Sequence, residues 1–222
     1  LGDACGGFDA HWLQSWIAAA RGDVARQQLE LAHCMAQAHA GIDPLRSDIA
    51  EAQMARCSAL QNAADAQFRW SSRFHAEARF PVPVAAVVDD FLGVLAGLCS
   101  DFGRAIPHHL RAFEAALQSG QLQRAVVSAL NTGDCFNYLS DYQAGMEWTQ
   151  RALDLARSAG IRQSLSMCMR QLADTLRRLG QLDAAQQIIE ETNGMMQQIQ
   201  GSRMHSILLR IAAEVALDAQ DG

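Results

Sequence analysis

The chain has 222 residues, half of them apolar and 19% charged, with a formal net charge of −6. That balance excludes a disordered polymer and argues against a nucleic-acid surface, which needs a basic face to neutralise phosphates. All 18 basic residues are arginine, so there is no lysine for a phosphate-binding loop, a Schiff base or a Ser-Lys pair.

Ala, Leu, Gln and Arg dominate, Val, Ile, Thr and Tyr are sparse, and only 4 prolines occur, a composition that favours helix throughout. No apolar run reaches the ~18 residues a membrane-spanning helix needs, so no membrane association is expected. The 6 cysteines, Cys5, Cys34, Cys57, Cys99, Cys135 and Cys168, form no Cys-x-x-Cys pair. Spaced singly along helical segments, they are expected to be small buried hydrophobes of a reducing compartment, which makes the protein cytoplasmic. Starting at Leu1 without initiator methionine or signal peptide and stopping at Gly222, the chain is expected to be a segment of something longer.

From the amino terminus, the first turn signal is Gly22-Asp23-Val24, followed by a weak one at Gln61-Asn62-Ala63. Next comes Phe80-Pro81-Val82-Pro83. Two prolines around one residue end any helix and favour extended backbone, so this segment should connect the second and third units. Ser100-Asp101-Phe102 opens the stretch SDFGRAIPHHLRAF, and 40 residues later Ser140-Asp141-Tyr142 opens SDYQAGMEWTQRAL. The same interval leads to Gly180-Gln181-Leu182 and then to Gln220-Asp221-Gly222. A fixed period of this size marks a stacked-repeat architecture. Pro107, inside the second helix of the third unit, should kink or loosen its first turns.

Between turns, Leu165, Met169, Leu172, Leu176 and Leu179 recur at spacings of three and four, one face of an amphipathic helix that Gly180 stops. A second helix is expected from about Asp183 to Gln198, offering Ala184, Ala185, Ile188, Ile189 and Met195 for burial. Each unit is then a helical hairpin that must stack on its neighbours to bury its apolar faces. The units fall at about 9–42, 43–80, 84–120, 121–160 and 161–200, with a truncated one at 201–222.

These positions resemble the tetratricopeptide repeat. The resemblance runs through Leu92-Gly93, Asp101-Phe102, Ala105 and Ala112 in the third unit, and through Gly133, Phe136, Asp141-Tyr142 and Ala152 in the fourth. In the fifth it runs through Leu172-Ala173, Leu176, Gly180, Ala185 and Ile189. Small residues at Gly93, Gly133 and Ala173 mark places where helix backbones must approach closely. The period is 40 rather than the family's 34, Gly145 stands where alanine is expected, Thr149 stands where an aromatic is expected, and the first two units match poorly. The resemblance implies an all-α, right-handed α-α superhelix of about 11 helices. The longer repeats are similar to the regulatory arrays of bacterial diguanylate cyclases and to the sensor arms of LuxR-type transcription activators. They imply a non-catalytic sensor or interaction module of a signalling protein, with a purely structural scaffold as the alternative.

The resemblance also implies a concave face made by the first helix of each unit. Carried over, that face holds Val127, Leu130, Asn131, Asp134, Asn137 and Tyr138 in the fourth unit. It holds Met167, Arg170, Gln171, Asp174, Arg177 and Arg178 in the fifth, and Ile207, Arg210 and Glu214 in the sixth. Arginine grips carboxylate or phosphate with paired hydrogen bonds, and Asn131 and Asn137 could clasp the backbone of an extended peptide. The expected occupant is a peptide, a protein segment or a small anionic ligand; a homodimer is a further arrangement the chain allows. The opposing reading is a solvated helix face in which Arg170–Asp174 and Arg210–Glu214 are ordinary i,i+4 pairs.

No catalytic set, metal set or cofactor is expected. Adjacent His108 and His109 point about 100° apart on a helix and should face solvent or the groove. Asp89-Asp90 should present one carboxylate to solvent or the groove. His33, Cys34 and His39 lack ligand spacing, and His75-Ala76-Glu77 lacks the Pro-Cys-x-x-Cys that a deaminase requires. Gly133-Asp134-Cys135 lacks the glycine spacing of a dinucleotide loop. Trp12, Trp16, Trp70 and Trp148 are expected to pack.

Overall fold

The computed structural model describes residues 4–41, 43–75, 78–196 and 203–219. Among these, every regular element is an α-helix, and there are eleven: α1 (Ala4–Arg21), α2 (Val24–Ala40), α3 (Pro44–Gln61), α4 (Ala63–Trp70), α5 (Val82–Leu98), α6 (Phe102–Gln118), α7 (Leu122–Tyr138), α8 (Tyr142–Ser158), α9 (Arg162–Arg178), α10 (Leu182–Met196) and α11 (Arg203–Asp218). The chain divides into two compact units, Leu1–Gln121 and Leu122–Gly222. The turn expected at Gln220-Asp221-Gly222, the end of the second helix beyond Met196, and Ala76-Glu77 lie outside the described residues.

From α5 to α9 each helix has 17 residues and each turn returns at twenty-residue intervals. Residues 100, 120, 140, 160 and 180 all take left-handed backbone, with φ between 60° and 73°. Glycine supplies that conformation at three of them, serine at Ser100 and Ser140. The next amide reaches back across the turn, as from Asp101 to the Ala96 carbonyl (3.0 Å) and from Asp141 to the Phe136 carbonyl (3.0 Å), closing the helix end. Asp101 and Asp141 then cap the following helix by accepting from the Arg104 and Ala144 amides. The repeated Ser-Asp is thus a two-residue switch: serine ends one helix and aspartate starts the next. Asp23, Asp43 and Asn62 cap α2, α3 and α4 in the same way.

In the first unit α1 pairs with α2 and α5 with α6, while α3 lies against both α2 and α5 and the short α4 leans on α3. The core around α3 and α5 holds Ala52, Ala55, Ala59, Val84, Val87 and Phe91, with Phe74 wedged against Trp70, Phe80 and Phe91. Residues 78–81 run without helix, and Pro83 stands in the first turn of α5, where its missing N–H leaves no bond unmade. α6 passes through Pro107 unbroken.

Two expectations are corrected here. His108 and His109 are buried, not exposed. His109 lies against Gly93: a Cβ on that glycine would come within 2.6 Å of the imidazole, so the absent side chain is what makes room for the ring. His108 Nδ1 meets Asp89 Oδ1 at 2.7 Å, and Arg111 shares that carboxylate. Asp90, almost wholly buried, faces Arg56 of α3 at 2.6 Å, while Asp89 is half-buried. Cys34, Cys57, Cys135 and Cys168 are buried, but Cys99 is exposed at the end of α5. Burial pushes the Cys34, Cys135 and Cys168 thiols up to about 12, so they are inert at neutral pH.

In the second unit α7 pairs with α8 and α9 with α10; α8 also packs on α9, and α11 lies against α9 and α10. Ala152, Leu153, Met169, Leu172, Ala173, Ala185 and Ile189 form its interior, extended by Leu208, Ile211 and Val215 of α11.

Candidate functional site

The residues expected to face a ligand all lie on α7, α9 and α11, and α9 touches both of the others. Side by side, these first helices bring the predicted residues onto neighbouring elements. The geometry then separates them into two layers.

The inner layer is a buried polar seam. Gln171 Nε2 donates to the Leu130 carbonyl (2.9 Å) and to Thr149 Oγ1 (3.1 Å). Thr149 donates to the Gly145 carbonyl (2.8 Å), and Thr175 to the Gln171 carbonyl (2.9 Å). Asn137 Nδ2 donates to Thr175 Oγ1 (2.8 Å). The seam exists because Gly133 and Gly145 let α7 and α8 approach: a Cβ at 133 would meet Thr149, Gln171 and the Gly145 carbonyl at 3.0 Å or less. Thr149 therefore replaces the expected aromatic with a hydroxyl that joins α8 to α9, and Gln171 carries the tie on to α7. Gln171 is buried and Asn137 half-buried, so neither amide is presented to a passing peptide as the repeat resemblance implied.

The outer layer is charged. Arg177 reaches Asp174 (3.3 Å), Glu214 (3.1 Å) and Asp218 (2.9 Å), joining α9 to α11. Burial opposes the Arg177 charge, but Asp218 and Asp174 outweigh it and hold the guanidinium above its usual range. Arg178 bonds Asp174 (3.0 Å), and Arg210 pairs with Glu214. Asp174 is thus held by Arg177 and Arg178 rather than by Arg170. Asp134 lies deeper; burial raises its carboxyl to about 6, opposed by the charge of Arg170. Asn131 is half-buried on α7, and Tyr138, 70% exposed, stands at the end of that helix.

Two further features lie outside the residues the repeat pattern singles out. A cleft of about 480 Å³ opens in the second unit between Met146, Gln150 and Arg151 of α8 and Leu172 and Leu176 of α9. In the first unit His11, Glu30 and His33 converge. Glu30 and His33 share a face at three-residue spacing, a signal the sequence does carry; the third member comes from α1 and depends on hairpin register.

No family model matches the chain, and no curated protein matches it. Among solved structures it is similar to aspartyl phosphate phosphatase F from Bacillus subtilis, with a TM-score of 0.63 and 13% identity over 94% of this chain. It is also similar to the apo form of RapI, with a TM-score of 0.58 and 10% identity over 91% of this chain. The chain spans 55% of the first of these structures and 80% of the second. At such identities the likeness concerns the fold: an all-α, tetratricopeptide-like array of helical hairpins. Among the described residues no helix is long and apolar enough to cross a membrane.

Proposed function

We propose that the protein is a non-catalytic regulatory module whose α7–α9–α11 face takes an extended peptide or protein segment. The observation that carries this reading is the composition of the face. Asp134, Asp174, Glu214 and Asp218 interleave there with Arg170, Arg177, Arg178 and Arg210, next to the exposed ring of Tyr138. A small anion would have to displace carboxylates that already hold Arg177, Arg178 and Arg210. A peptide with both signs of charge can exchange partners with them one by one, and tyrosine offers a large contact area at low entropic cost. The finer assignment is a regulatory array of a diguanylate cyclase; the 40-residue repeat supports it.

Selection of a displayed peptide library on the chain tests the face. Peptides should emerge whose binding weakens at least about tenfold in Tyr138→Ala and in Arg170→Ala, as expected for contacts near the centre of an interface. Selected peptides that bind both variants as tightly as the parent would remove the α7–α9–α11 face from consideration. A native gene without a cyclase domain would remove the finer assignment and leave the peptide face standing.

A further inference from the structure

We propose that His11, Glu30 and His33 form a divalent transition-metal site, suited to Zn²⁺, that clasps α1 to α2. Their ligand atoms all lie within 4.8 Å of one another. His11 Nδ1 is 2.6 Å from Glu30 Oε2, and the His11 and His33 rings meet edge to face with centroids 4.7 Å apart. Two donors on one tetrahedral zinc sit about 3.4 Å apart, given metal–ligand bonds near 2.0–2.1 Å. The His11–Glu30 pair must open by under about 1 Å and the widest separation must close by up to about 1.4 Å, which His33, whose side chain is exposed, has room to do.

The carboxylate is prepared for the role. Glu30 is 1% exposed, which would be costly for an ionised group without partners. Both of its oxygens are met by nitrogen donors, Oε2 by His11 Nδ1 and Oε1 by Arg26. Arg26 grips the other oxygen, Oε1, and is itself steadied by Gln14 Oε1 at 3.1 Å. That contact fixes the plane of the carboxylate and leaves Oε2 for an ion, as outer partners do at metal centres. The ion takes the place of the proton between His11 Nδ1 and Glu30 Oε2, which passes to His11 Nε2 or to solvent. Two imidazoles and one carboxylate are a borderline donor set that selects zinc or iron over calcium and magnesium. Three protein ligands leave positions for water.

The test is titration of the whole chain with Zn²⁺ and Co²⁺, in a Cys5→Ser/Cys99→Ser background; Cys99 is the exposed thiol among the described residues. One equivalent should bind with micromolar affinity or better, and the Co²⁺ spectrum should lack a thiolate charge-transfer band. His33→Ala should weaken binding by about a hundredfold, at least what loss of an outer partner costs at such centres. His33 is exposed, so this variant should keep its helical circular dichroism. If it does not, imidazole resonances in the unsubstituted chain decide: Zn²⁺ must shift His11 and His33 and leave His75 unmoved. Absence of micromolar binding, unchanged affinity in a folded His33→Ala, or a thiolate band on Co²⁺ overturns the assignment.

Discussion

Asn137 occupies the space that a side chain at Gly145 would need: a Cβ there would lie 2.1 Å from Asn137 Oδ1 and 2.9 Å from its Cγ. Position 145 is where the repeat family has alanine, and the glycine is the local answer to a bulky amide on the facing helix. Gly145→Ala gains about 1 kcal/mol of helix propensity. It forces Asn137 off Thr175 and crowds the seam, at a cost of about 1–3 kcal/mol. A net loss of about 1 kcal/mol is expected in denaturant unfolding. Asn137→Ala combined with Gly145→Ala should recover most of that loss, because Thr175 keeps its bond to Gln171 and the buried Asn137 Oδ1, without a partner among the described residues, is removed, while a Cβ at 145 still meets the Gly133 carbonyl at 3.2 Å. Additive losses would contradict this account.

That pair also explains what could and could not be read from the letters. Turns depend on local chemistry, so the recurring Ser-Asp and Gly180 positions make the 40-residue period of helical hairpins legible in the sequence. Burial of polar residues depends on what stands opposite. Gln171 and His109 have the letters of a solvated face, and Gly133 and Gly93 across from them make the room that turns those letters inward. The charged layer was legible as residue types on neighbouring helices, but not as pairs, because Asp174 chooses among three arginines by rotamer. His11 joins Glu30 only through the register of α1 on α2, which no periodicity encodes.

His109 makes the first unit sensitive to acid. Burial lowers its imidazole from 6.5 to about 4. Its buried Nδ1 has no hydrogen-bond partner among the described residues. Between those values the unfolded chain binds a proton that the folded chain refuses. Stability therefore falls as pH drops from 6.5 to about 4 and is flat with respect to this group above 6.5. Asp134 in the second unit has the opposite sign: its carboxyl is raised from 3.8 to about 6, so folding is favoured below that window and the advantage is lost as pH rises through it. Hydrogen exchange at pH 7 and pH 5 should show protection dropping across α5 and α6 while α7 gains. His109→Gln should flatten the first change, and a parental slope in that variant would contradict the assignment.

Arg177 is the bolt between α9 and α11. It is 18% exposed on its side chain and meets three carboxylates, two of them on α11. Isolated surface pairs are worth under about 1 kcal/mol, but a half-buried guanidinium shared by several acids is worth more, and removing it leaves those acids repelling one another. Arg177→Ala should cost about 1–2 kcal/mol, concentrated in α11. Limited proteolysis should cleave within 203–219 first, with α7 to α10 retaining parental protection. Equal loss of protection across all five helices would show that Arg177 acts on the unit's core instead.

Ser140 carries a backbone conformation that suits glycine, at φ 63°. Left-handed backbone costs an L-residue about 1 kcal/mol or more, and glycine returns part of that gain as chain entropy in the unfolded state. The turn's other contribution comes from Asp141, whose carboxylate caps α8 through the Ala144 amide at 3.2 Å. Ser140→Gly should therefore stabilise by about 0.5–1 kcal/mol, whereas Asp141→Ala should destabilise by about 1 kcal/mol. The two substitutions act on different helix ends, Ser140 closing α7 and Asp141 opening α8. Their effects on urea midpoints should add, and Ser140→Gly/Asp141→Ala should unfold close to the parent. A stabilising effect of Ser140→Gly that vanished without Asp141 would mean that the serine and the cap work as one hydrogen-bonded turn, not as two independent helix signals.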